Sequence, residues 1–134
     1  MTLNNIFIDS NIVLYLFDTN EPKRLIVQEL LSAKPTLNAQ VLVEVGNVCK
    51  RKFGFSKQQI TLLWSDLIND CSCAEINEHT IKDAIRLIKK YDFQLFDAII
   101  IAGALYANAK ILYSEDMHHG IVIDETLTII NPFK

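Results

Sequence analysis

The sequence predicts a three-layer α/β/α fold around a short, mostly parallel five-stranded sheet, and three observations carry that reading. Five short apolar segments alternate with longer segments of helical periodicity, the pattern of βαβ units whose parallel strands lie between helical layers. One helix, residues 97–109, is apolar on nearly every face, so it belongs under a sheet rather than at a surface. Half of the 134 residues are hydrophobic, which suits one domain over residues 1–134 with a real core.

The elements follow in order. Residues 5–9 (NIFID) read as a buried strand ending in Asp9, the only charged side chain before Asp18. Ser10 and Asn11 are cap residues for a helix over 12–17. Pro22 sits where a first helical turn accepts proline, so a second helix spans 21–33, and Pro35 ends it. Residues 36–38 make the second strand. Residues 39–52 are read as a helix although their valines favour strands. In that helix Gln40, Glu44, Asn47 and Arg51 form one polar stripe on an otherwise apolar surface. Gly54 breaks the pattern, and Ser56 caps a helix to residue 69 with Ile60, Leu63, Trp64 and Leu67 inward. A third strand covers 73–76. Asn77 then caps a helix to residue 91, with Ile81, Ala84, Ile85 and Ile88 as its expected core stripe. After the apolar helix come a fourth strand at 111–113, a polar loop with His118, His119 and Gly120, and a last strand at 128–130.

Charge and cysteine content narrow the function. The net charge is −3, and the pI is about 5.5, so no global basic field draws in nucleic acid. That counts against a simple electrostatic binder, but not against a nuclease with an acidic, metal-loaded site. Three cysteines without paired zinc spacing point to reduced thiols in a cytoplasmic protein. The first residues lack a basic leader region, and no apolar run approaches the roughly 18 residues of a membrane span.

Four acids stand alone in apolar surroundings. Asp9 and Asp116 lie at the carboxyl ends of the first and fourth strands, where open parallel sheets bind ligands. Asp97 is the only charged side chain between Asp92 and Lys110, and Glu44 the only one between Lys34 and Lys50. Helix-dipole attraction at Asp97 is worth about 1 kcal/mol or less, whereas burying an unpaired charge costs several times that. If the Glu44 helix packs over the same sheet edge, four carboxylates converge and raise one another's pKa unless a cation joins them. Hard oxygen ligands suit Mg²⁺ or Mn²⁺, and the matching chemistry is metal-assisted phosphodiester hydrolysis.

These residues carry a resemblance. Asp9 with Ser10-Asn11, Glu44 with Asn47, the Phe96-Asp97-Ala98 helix start and Ser114-x-Asp116 resemble the PIN domain family, and more narrowly the VapC-type toxins of bacterial toxin–antitoxin pairs. The likeness covers essentially the whole chain. It implies a PIN-like fold and a Mg²⁺- or Mn²⁺-dependent endoribonuclease with Asp9, Glu44, Asp97 and Asp116 as catalytic metal ligands. Asn11 and Ser114 match polar positions that line the family's site. Many relatives carry a further acid three residues after the last one, and that position here is His119. The implied partners are an RNA substrate, a cognate antitoxin and a second copy in a homodimer.

Plainer roles compete for several of these residues. Asp9 could cap a helix, although Ser10 and Asn11 already fill that role, and Glu44 by itself would be a solvated helix position. Glu115 reads as solvated, and His118 and His119 as exposed loop residues. Lys50, Arg51 and Lys52 either complement a helix C-terminus or touch an RNA backbone. Phe53, Phe55 and Trp64 are expected in the core. Two other functions fit less well. A haloacid-dehalogenase-like phosphatase needs an Asp two residues after the first, where this chain has Asn11. A non-catalytic module that binds RNA or protein leaves the clustered acids, which repel phosphate, unexplained.

Overall fold

The computed structural model describes residues 5–134. Its sheet has the order β3-β2-β1-β4-β6-β5. Strand β1 (Ile6–Ile8) lies between β2 (Thr36–Asn38) and β4 (Ile111–Tyr113), and is parallel to both. Strand β3 (Ser72–Ala74) extends the sheet beyond β2, and β6 (Leu127–Ile130) extends it beyond β4, again in parallel. The chain therefore builds outward from β1 on one side, then crosses back to β4 on the other. The crevice where the order reverses opens at the carboxyl ends of β1 and β4.

The sheet has six strands rather than five. The additional one, β5 (Val122–Ile123), pairs antiparallel with β6. Its turn uses Asp124 and Glu125 at φ 50° and 62°, where hairpins usually show Asn or Gly. Side chains from α5 (Glu78–Tyr91) hold it in place: Asp124 accepts from Arg86 Nη2 at 2.6 Å and from Lys90 Nζ at 3.1 Å. A two-residue strand fixed by a distant helix leaves no periodic signal.

Helical boundaries also differ where caps decide them. Helix α1 (Ser10–Val13) begins at Ser10 because Asp9 itself is the N-cap, and the chain continues as a 3-10 turn over Leu14–Phe17. Helix α2 covers Glu21–Ser32. Helix α3 (Ala39–Phe53) is capped by Asn38 at one end and by Gly54, at φ 68°, at the other, which outweighs its valines. Helix α4 (Lys57–Asp70) starts from a Ser56 capping box. Helix α6 runs Leu95–Tyr106, ending before residue 109 because Asn108 turns left-handed at φ 60°. In α5 the buried positions are Thr80, Ala84 and Leu87, whereas Ile81 and Ile85 are exposed. The polar Thr80 hid that face, yet it serves the Asn77 capping box. No helix among the described residues is long and apolar enough to cross a membrane.

The core joins Phe7, Ile8, Leu37, Leu112 and Ile129 of the strands to Ile101, Ala102 and Ala104 of α6. Each of the larger fully buried side chains contributes about 1.5–3 kcal/mol. Trp64 is half-buried across α3, donating Nε1–H to the Leu42 carbonyl at 2.7 Å. Gly103 permits a close approach. A Cβ there would stand 2.6 Å from Asn38 Nδ2, and Asn38 is fully buried while its Oδ1 caps α3. Gly to Ala in a helix ordinarily gains up to about 1 kcal/mol, but overpacking a held neighbour costs about 1–3 kcal/mol. Gly103→Ala is therefore expected to lower the melting temperature, and an unchanged or higher value would contradict this packing.

Candidate active site

Asp9 leaves β1 at the sheet's reversal point and is almost fully buried. Its Oδ1 accepts the Ser10 backbone N–H at 2.7 Å, and its Oδ2 accepts the Ser114 hydroxyl at 2.9 Å. Glu44 comes from α3, which packs against α1, and accepts from Ser10 Oγ at 2.7 Å and Gln40 Nε2 at 3.0 Å. Asp97 lies in the first turn of α6. Asp116 follows β4 and accepts from Asn11 Nδ2 at 3.2 Å. All four acids line one cleft of about 120 Å³, whose other walls are Ser10, Asn11, Phe96 and Ile100. Neither Lys nor Arg lines it.

The electrostatics follow from that lining. Burial pushes the Asp9 carboxyl up to about 6, reinforced by the charges of Glu44 and Asp97 and opposed by the hydrogen bonds from Ser114 and Ser10. Asp97 is raised too, first by burial and then by Asp116 and Glu44. Among the described residues, no three His, Cys, Asp or Glu side chains stand already arranged to hold a metal ion. Three of the acids, Asp9, Glu44 and Asp116, accept hydrogen bonds from protein donors. The donor set nonetheless fits a hard divalent cation: several carboxylate oxygens converge, two of the acids are penalised for ionising, and the lining supplies no positive charge.

The structure thus brings Asp9, Glu44, Asp97 and Asp116 together, with Asn11 in the cleft wall and Ser114 buried behind Asp9. Asn11 also accepts the Glu115 backbone N–H at 3.3 Å, so one side chain ties α1 to the loop after β4. Two further residues shape the site beyond those the sequence assigns to it. Ser10, a cap and motif residue, bridges toward Glu44, and Gln40, on the same polar stripe, orients Glu44 while reaching the Phe96 carbonyl at 3.4 Å. The i,i+4 spacing of Gln40 and Glu44 was the available signal. Glu115 is not simply solvated, because it pairs with Lys23 at 2.9 Å and accepts from Tyr15 Oη at 2.6 Å. His118 and His119 are exposed and line a separate hollow with Tyr91 and Phe93, where His119 Nδ1 accepts the Asn131 N–H at 2.9 Å.

The profile of the PIN domain family matches residues 6–125. The chain belongs to the PIN domain family. Several solved structures share this PIN fold. One is a toxin–antitoxin complex from Klebsiella pneumoniae, with TM-score 0.71 and 19% identity, covering 95% of this chain and 97% of that one. Another is VapC20 from Mycobacterium tuberculosis, described as a toxin cleaving the sarcin–ricin loop, with TM-score 0.67, 14% identity and coverage of 83% and 89%. A third is VapBC2 from Rickettsia felis bound to a promoter DNA fragment, with TM-score 0.65, 15% identity and coverage of 92% and 96%. A comparison with curated proteins finds no match.

Proposed function

We propose that this PIN domain is a divalent-metal-dependent endoribonuclease, acting as the toxin of a toxin–antitoxin pair. The observation that carries the reading is the meeting of four carboxylates, without a lining cation, at the sheet's reversal point. Asp9, Glu44, Asp97 and Asp116 would hold Mg²⁺ or Mn²⁺, directly or through water. When bound, the ion supplies charge neutralisation at the scissile phosphate and a readily deprotonated water. The chain's own groups set up the site. Ser114 and Ser10 fix the Asp9 and Glu44 oxygens, Asn11 holds Asp116, and one of the four acids orients the attacking water as it displaces the leaving ribose oxygen. Asn11 stands where a phosphatase of the haloacid-dehalogenase type would need an acid, which favours the nuclease over that alternative.

The partners are proposed on the same footing. Residues 1–134 would work as one cytoplasmic nuclease domain, with an antitoxin as inhibitor and a second copy in a homodimer. The toxin–antitoxin complexes among proteins of this fold support the antitoxin. The purified protein is expected to cleave RNA with added Mg²⁺ or Mn²⁺ and to stop in excess EDTA, recovering when metal is restored. Undiminished cleavage in EDTA would refute the metal-dependent reading.

A further inference from the structure

Asn11 borders two cavities. Besides the acidic cleft it lines a second hollow of about 170 Å³, with Leu14, Tyr15, Val48, Lys52 and Phe53. Lys52 ends the run Lys50-Arg51-Lys52. Among the described residues none of these three cations has a carboxylate partner, and neither do Lys34, Lys57, Lys89, Lys110 and Lys134, so what sets the run apart is its place beside the cavity. It is the densest basic run in a chain of net charge −3, and its last member, Lys52, lines a cavity that shares Asn11 with the acid site. Phe53 is over a third exposed, with Lys52 Nζ 5.7 Å from its ring centroid. Two acids also border the hollow. Glu115 is neutralised by Lys23 at 2.9 Å, and Asp18 accepts the Asn20 backbone N–H at 2.8 Å.

We propose that this hollow is a nucleotide subsite, which takes the RNA residue adjacent to the scissile bond. Its base rests against Leu14, Val48 and Phe53, and Lys52 meets its phosphate. The proposal rests on the nuclease reading above. An aromatic face beside a cation without a carboxylate partner is the combination that holds single-stranded nucleic acid, since every base offers a π-face and every nucleotide a charge. The shared wall at Asn11 places that nucleotide next to the carboxylates, which suits a substrate residue better than a protein side chain docking elsewhere.

The test uses oligoribonucleotides cleaved at one site, with Lys52→Gln and Phe53→Ala compared with the parent. Lys52→Gln is exposed and leaves the fold intact. It should raise KM severalfold at unchanged kcat, and flatten the salt dependence by about one unit of slope. Phe53→Ala should raise KM about 10-fold, within the range for losing one stacked base. Removing the base at one position flanking the cut should penalise the parent by a similar factor and the Phe53 variant little. A parent that cleaves RNA while both variants keep its KM overturns the subsite and leaves the nuclease standing. Variants that cleave normally but no longer bind a co-expressed cognate antitoxin would assign the hollow to a protein partner and overturn it too. A parent that cleaves no RNA removes both readings.

Discussion

Asp9→Asn is expected to abolish RNA cleavage and, in chelator, to remove a loss of stability that the parent suffers between about pH 4 and pH 6. The Asp9 carboxyl ionises near 3.8 in the unfolded chain and at about 6 in the folded one. Between those values the folded protein holds the proton more tightly, so folding is favoured below the window and loses ground as pH rises through it. A difference of about two pH units corresponds to about 3 kcal/mol, a large fraction of a domain's stability. Asp124, pulled down to about 2 by Arg86, and Glu115, lowered by Tyr15 and Lys23, act in the opposite sense, and their stabilisation is lost as pH falls below the usual carboxylate range. Both remain in the variant, so the difference between parent and variant isolates Asp9. Asn keeps an oxygen for the Ser10 N–H and offers its amide to Ser114 Oγ. Denaturant melts in EDTA from pH 4 to pH 7 should give curves that diverge as pH rises, with the variant the more stable. Parallel curves would mean that Asp9 carries no such strain.

Much of this arrangement was legible in the sequence because it rests on local signals. Lone acids at strand ends and at a helix start, each isolated in apolar sequence, located the cleft. Ser56 and Asn77 announced their helices, and Asn38, as the last residue of its strand, turned out to cap the next one. What escaped depends on contacts between distant segments. Strand β5 exists because α5 reaches Asp124, and the Ile81 and Ile85 side chains are exposed because α5 presents Thr80 and Leu87 to the core instead. The link from Ser10 to Glu44 spans 34 positions, and no periodicity encodes it. The hollow beyond Asn11 likewise forms only when α1, α3 and the loop after β4 meet.

Asp97 tests the central claim most directly, because it is the acid with the least structural work. It is half-buried in the first turn of α6, and among the described residues no hydrogen bond reaches its carboxylate. Its burial and its repulsion from Asp116 and Glu44 are offset only by the helix dipole, worth about 1 kcal/mol at most. A structural Asp would cost stability when replaced and leave catalysis alone. A metal ligand should do the reverse. The decisive measurement is a set of thermal melts of the parent and Asp97→Asn, with and without Mg²⁺, beside one RNA cleavage assay. The account predicts that the variant melts at or above the parent in EDTA. It also predicts that Mg²⁺ at a hundred times its dissociation constant stabilises the parent by about 2.7 kcal/mol and the variant far less, and that cleavage falls by about a thousandfold or more. A variant that cleaves RNA normally, or that melts several degrees below the parent without metal, would contradict the four-carboxylate site.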